Sequence, residues 1–333
     1  MASRFGLTFM AVDPPQEFTS MVDFADANGF DFFWVCDSSL HARYVYAYLT
    51  LVATRTARLR FGPNCTHPYT RHPAINFNAL CTLDELSGGR AIMNVGAGDR
   101  PVMEVGRKQA KREVIRQMVE VGRRLLAGET ITYTSEAFSL QDAQIHYGRR
   151  ADLPIYITVS GPKMCELAGE LADGVMLACG SDPILLRFAL EHVTEGARRA
   201  GKAFEAMDRA CLLYTSIRDR QEEAIEDTRV IAAWYPQTAP ALFEAAGGDP
   251  GLAARIQAAY RGGHFHEAKE AARMMPDEMV LKFTLAGPPA FCAERIRQLQ
   301  GVGLTHFEIF PIGKGRHETA RRFAREVMPK LAS

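Results

Sequence analysis

The stretch Phe24-Ala-Asp-Ala-Asn-Gly-Phe-Asp-Phe-Phe-Trp-Val-Cys36 holds the repeating unit of this fold. Ahead of it, residues 14–28 set Phe18, Met21, Val22 and Ala25 on one face at helical spacing, and Gly29 follows as the stop. Residues 30–36 are then almost continuously apolar, as expected of a strand buried on both faces in a parallel sheet. The same junction of helix end, glycine and buried strand recurs at Leu167-Ala-Gly-Glu-Leu-Ala-Asp-Gly-Val175 and at Ile296-Arg-Gln-Leu-Gln-Gly-Val-Gly-Leu304.

Working outward, strand patterns fall at residues 5–12, 30–36, 59–65, 91–95, 154–159, 174–178, 210–216 and 307–310. Helical patterns follow at 14–28, 44–55, 72–86, 112–127, from 162, at 183–200, 222–234, 289–300 and 315–331, and residues 130–150 form an excursion of short-strand character. Repeated β-α units build either a doubly wound sheet or a barrel, and eight of them favour the (β/α)8 TIM barrel with insertions. The chain has 333 residues. A single barrel starts near ~250 residues, so one barrel spanning 1–333 with a helical insertion at about 237–285 accounts for the length. An insertion between strands seven and eight hangs over the C-terminal face, as a lid, a subunit contact or a passive elaboration.

Lys plus Arg and Asp plus Glu number 39 each, for a net charge of zero, which argues against nucleic-acid or membrane-surface partners. Basic clusters such as Arg107-Lys108 and Arg321-Arg322 alternate with acids and read as solvated helix faces. The cysteines at 36, 65, 81, 165, 179, 211 and 292 form no CxxC, and their odd number fits a reducing, cytoplasmic setting. The N-terminus lacks a signal-peptide core, and no apolar run nears the ~20 residues of a membrane span. HExxH, Walker, GxSxG and GxGxxG patterns are absent, so neither a bound metal nor a Rossmann dinucleotide site is expected.

Chemistry in such a barrel lies at the C-terminal strand ends. Asp37, directly after the second strand, either holds a polar ligand edge or caps the next helix. Asn64-Cys65-Thr66-His67 leaves the third strand and must bend toward the barrel top; a histidine in such a loop is more often structural than catalytic. Gly96-Ala97-Gly98-Asp99 and Ser160-Gly161-Pro162-Lys163 put small residues where a ligand approaches the backbone, and the second opens a helix whose N-terminus suits phosphate.

These residues resemble the luciferase-like superfamily of flavin and deazaflavin oxidoreductases, with the greatest likeness to the coenzyme F420-dependent methylenetetrahydromethanopterin reductases. Phe33-Trp-Val-Cys-Asp37, Phe61-Gly-Pro-Asn-Cys-Thr-His-Pro-Tyr69 and Thr82-Leu-Asp-Glu-Leu-Ser-Gly-Gly-Arg-Ala-Ile-Met-Asn-Val-Gly-Ala-Gly-Asp99 carry the resemblance. It implies coenzyme F420, or alternatively FMN, at the barrel mouth, a small-molecule substrate, and a homodimer or higher oligomer. It also implies a non-proline cis peptide at Asn64–Cys65. The cofactor shelf would comprise Asp37, Asn64–Thr66, Gly96–Asp99, Ser160–Lys163, Cys179 and Gly180, with Asp37 orienting the ring or donating a proton. The activity implied is hydride transfer to a small acceptor such as a methylene-tetrahydropterin or methylene-tetrahydrofolate. An FMN-dependent two-component monooxygenase and a cofactor-binding protein without turnover are the rivals. The reductases follow the strand-two Asp with His and carry a strand-one Glu; here Ser38 and Thr8 stand there. Asp99 and His67 become further acid candidates.

Overall fold

The computed structural model describes residues 3–260 and 265–331. Its strands are β1 (Arg4–Met10), β2 (Phe32–Cys36), β3 (Arg60–Pro63), β4 (Met93–Val95), β5 (Ile131–Thr134), β6 (Ser139–Ala143), β7 (Ile155–Val159), β8 (Gly174–Leu177), β9 (Asp208–Ile217), β10 (Leu285–Gly287) and β11 (His306–Pro311). Parallel pairing runs β3-β2-β1-β11-β9-β8-β7-β4. Bridges Phe61–Ala91 and Thr66–Val95 join β3 to β4, so the sheet closes into the expected (β/α)8 barrel.

The helices in chain order are α1 (Pro15–Ala27), α2 (Val45–Arg55), α3 (Pro73–Ser87), α4 (Arg100–Glu104), α5 (Arg112–Leu126), α6 (Pro162–Leu171), α7 (Pro183–Arg199) and α8 (Gln221–Ala232). Then come α9 (Tyr235–Thr238), α10 (Pro240–Ala245), α11 (Pro250–Ala259), α12 (Phe265–Arg273), α13 (Asp277–Phe283), α14 (Pro289–Gln300) and α15 (Arg316–Arg322). The 130–150 excursion is the antiparallel hairpin β5–β6. The expected insertion at 237–285 holds α10 to α13 and the second half of α9; its residues 261–264 lie outside the described residues.

One strand lies outside the expected pattern: Leu285, at the end of the insertion, opens β10, which pairs with Thr215–Ile217 of β9. Three residues are too few for periodicity to declare a strand. The last helix also breaks early: α15 ends at Arg322, and wider and tighter turns complete the segment at Phe323–Val327 and Met328–Lys330.

Alternation along each strand divides the core in two. Phe33, Val35, Leu7 and Phe9 face the helices, whereas Phe32, Trp34, Ile92, Tyr156, Met176 and Leu212 fill the barrel. Each fully buried phenylalanine contributes about 1.5–3 kcal/mol through loss of water contact. The bulky interior needs glycine opposite it. A Cβ at Gly62 would stand 2.0 Å from the Ile92 carbonyl, and one at Gly174 would lie 2.6 Å from the Tyr156 ring.

Candidate active site

A cavity of about 530 Å³ opens at the C-terminal strand ends. Met10, Leu212, Phe310 and Ile312 give it an apolar wall. Ile231 of α8 and Trp234 just beyond its end, with Thr238 and Tyr260 from the insertion, cover one side. Of the expected shelf, Asp37, Asn64, Cys65, Gly96, Ala97, Gly98, Asp99, Ser160 and Gly161 line the cavity. Thr66, Pro162, Lys163, Cys179 and Gly180 do not. Thr66 is buried beneath the loop, where its hydroxyl accepts a hydrogen bond from Arg71 (3.1 Å). Lys163 is exposed in the first turn of α6. The Cys179 thiol faces the carbonyls of Val159 and Ser160 (3.7 and 3.9 Å), and the Gly180 carbonyl faces the Cys211 thiol (3.6 Å).

Asp37 sits at the mouth with its side chain almost wholly buried and is ion-paired with Arg71. Arg71 also donates to Asn76 Oδ1 (2.8 Å) and lies over the rings of Tyr44 and Tyr46. Burial pulls its guanidinium down to about 10, which still leaves it charged at neutral pH. The ion pair leaves carboxylate lone pairs of Asp37 at the cavity mouth.

Asp99 differs. Burial pushes its carboxyl upward, and the Trp234 indole, the Arg100 backbone N–H and the Arg100 charge pull it back only partly. His67 also lines the cavity, but burial pulls it down to about 4, so it is neutral near pH 7. Cys36 and Cys65 face the cavity as neutral thiols, both pushed up by burial. The uncapped N-terminus of α6 at Gly161 opens onto the same cavity and offers backbone N–H groups to an anion.

The Asn64–Cys65 peptide is cis, as the resemblance implied. Gly96 makes room for the turned Cys65 side chain: a Cβ there would stand 2.4 Å from Cys65 Sγ. Ser38 lines the mouth together with His41, whose Nε2 lies 2.6 Å from Glu104 Oε2. A histidine therefore does face the cavity, three residues beyond the position sequence comparison singles out. The sequence reading missed a larger feature, a buried polar chain beneath the cavity: Thr158, Asn94, Asn64, Thr8 and Glu308. The available signal was Glu308 in the middle of the apolar strand run 307–310, where an unpartnered carboxyl would be costly.

The family described as luciferase-like monooxygenases matches residues 3–306. The chain belongs to that family. Among its relatives, the 5,10-methylenetetrahydromethanopterin reductase of Archaeoglobus fulgidus is 31% identical, covering 98% of this chain and 99% of the reductase. The F420-dependent glucose-6-phosphate dehydrogenase of Amycolatopsis mediterranei is 26% identical, covering 95% of each chain. The solved coenzyme F420-dependent tetrahydromethanopterin reductase of Methanopyrus kandleri superposes with a TM-score of 0.86 at 28% identity, covering 99% of this chain and all of that one. This luciferase-like chain has no helix, among the described residues, long and apolar enough to cross a membrane.

Proposed function

We propose that this chain is an F420-dependent oxidoreductase that reduces a small organic acceptor, a methylene-tetrahydropterin first among the candidates. The observation that carries the reading is the cavity itself. Its apolar wall, its amide-lined floor and the α6 N-terminus at one end match a flat ring with a polar edge and a phosphate-bearing tail. Similarity along nearly the whole chain to reductases and dehydrogenases that use F420 supports it.

Coenzyme F420, when bound, supplies the hydride. The chain's residues do the rest. Met10, Leu212, Phe310 and Ile312 exclude water from one face, and Trp234 and Tyr260 shield the mouth. Asp37, ion-paired with Arg71, accepts a hydrogen bond from a polar ligand edge. Asp99, with its carboxyl pushed up by burial, holds the proton that a reduced acceptor takes up. Fixing both reactants in one water-poor slot supplies much of the acceleration. The insertion acts as the substrate-side wall, since Thr238 and Tyr260 reach the cavity from it. The protein works as a homo-oligomer in the reducing cytoplasm, where all seven cysteines stay free.

Fluorescence titration with F420 and with FMN tests the cofactor. Micromolar F420 affinity with no FMN binding is expected; FMN preference overturns the reading in favour of a flavin monooxygenase. Oxidation of reduced F420 by methylene-tetrahydromethanopterin, followed by absorbance, tests the acceptor. Tight cofactor binding without turnover by any methylene-pterin or folate overturns that part.

A further inference from the structure

A belt of hydrogen bonds crosses the barrel just beneath the cavity. Thr158 Oγ1 donates to Asn94 Oδ1 (2.9 Å), and Asn94 Nδ2 donates to Asn64 Oδ1 (3.1 Å). Asn64 Nδ2 then donates to Thr8 Oγ1 (3.1 Å), and Thr8 Oγ1 donates to Glu308 Oε1 (3.1 Å). Every donor points the same way, and the belt ends on a carboxyl with no exposure to solvent. Thr158 and Asn64 line the cavity; Asn94, Thr8 and Glu308 lie wholly beneath it.

Behind Glu308 the polar groups continue. Its Oε2 is 2.8 Å from His306 Nε2, and His306 Nδ1 faces Asp208 Oδ2 at 3.5 Å. Asp208 receives Tyr156, Thr305 and Arg4, and it lines a second cleft at the opposite, N-terminal end of the barrel. Glu308 thus has a path to solvent that does not pass through the cavity.

We propose that Glu308 is a positioning residue whose ionisation sets the hydrogen-bonding direction of Asn64 and Thr158, and so decides which ligand edge the cavity floor accepts. An ionised carboxylate only accepts, so each hydroxyl and amide turns toward it. Thr158 then spends its hydrogen on Asn94 and offers lone pairs to the cavity, which suits a ligand N–H. A neutral Glu308 donates to Thr8 instead. The Thr8 hydroxyl turns to Asn64, both amides reverse, and Thr158 is free to donate to a ligand carbonyl or anionic ring nitrogen. Such chains polarise cooperatively, which makes the two directions distinct states. The step moves one proton between solvent and Glu308, with no redox change.

Glu308 is suited to this task. Burial pushes its carboxyl up to about 7, against the opposing pull of His306, Thr8 and Trp34. The titratable and charged groups turned toward this part of the interior are Arg4 from β1, Cys36 from β2, Arg60 from β3, Tyr156 from β7, Asp208 from β9 and His306 from β11 itself. Burial pulls His306 down, but Asp208 and Glu308 outweigh it and leave His306 raised. Burial pushes Asp208 up, but His306, Arg4 and Thr305 hold it well below the usual carboxylate range.

The inference rests on the proposed function in one respect: the ligand is a ring whose edge presents N–H and C=O groups. The test is the affinity for F420 and for FMN, by fluorescence, from about pH 5 to about pH 9 at fixed ionic strength. It compares the wild type with Glu308→Gln and Thr8→Val. The residues that line the cavity mouth are the same in all three proteins, so the difference isolates the belt. In the wild type the affinity changes roughly tenfold across the range, equivalent to one pKa unit of linkage. Both variants bind with a nearly flat profile while circular dichroism shows them folded. A flat wild-type profile, or folded variants that keep the slope, overturns the inference. If neither cofactor binds, the proposed function fails, and the Asn64 side-chain amide resonance still decides this one. Its chemical shift must follow the Glu308 titration in the wild type and not in Thr8→Val.

Discussion

The Glu308 carboxyl on β11 occupies the space that a side chain at position 6 of β1 would fill. The two residues are register partners, and a Cβ on Gly6 would stand 1.9 Å from Glu308 Oε2. The glycine is therefore what admits a buried acid to the barrel interior. Gly6→Ala forces Glu308 off Thr8 or His306 and overpacks a rigid interior. The expected cost is about 1–3 kcal/mol, read as a lower urea midpoint with an unchanged m-value. An unchanged midpoint would show that Glu308 has room to move.

The same acid predicts how stability depends on pH. Glu308 is raised from its ordinary 4.5 to about 7. A carboxyl raised by folding contributes stability that is full below its unfolded value and is lost as pH rises through the folded one. His306, also raised, acts in the same sense. The share of stability these two groups contribute should therefore fall between about pH 5 and about pH 8, opposed below about pH 6.5 by His67, which burial pulls down to about 4. Glu308→Gln should flatten that fall, because it removes one titration and weakens the other. Denaturation at a series of pH values checks this.

Asp37 and Arg71 make a prediction of opposite character. Both side chains are buried, and each neutralises the other. Arg71→Met strands the carboxylate and should cost about 3–5 kcal/mol. Adding Asp37→Asn should recover part of that loss, since the partners are coupled. Urea denaturation of the single and double variants measures the coupling; simple additivity would refute it.

Asp99 carries the proton in the proposed reaction, so its variants should report on the pH profile. Asp99→Asn should lower kcat about 10²–10⁴-fold. The acid must be protonated to act, so activity falls as pH rises through its pKa. Trp234→Phe removes the indole hydrogen bond that favours the ionised form, which moves the alkaline limb to higher pH. A limb that stays in place would assign the proton elsewhere.

The barrel was legible in the chain because its cause is local. Phe18, Met21, Val22 and Ala25 recur at helical spacing before Gly29, and a doubly buried strand must be apolar throughout, so residues 30–36 declare themselves without any distant partner. The strand-end turns at Asn64, Gly96 and Ser160 were legible for the same reason, since a small or turn-forming residue directly after a strand places a loop at the mouth. The hidden part depended on closure. Thr8 and Glu308 are 300 positions apart in sequence and meet only because β1 pairs with β11. Asn94 and Thr158 join them only across β4 and β7. No window of sequence contains that chain, because hydrogen bonds between inward-facing side chains are set by register around the barrel. Sequence alone thus determined the strands, the helices and the face on which chemistry occurs. Tertiary structure decided which buried groups are hydrogen-bonded beneath it.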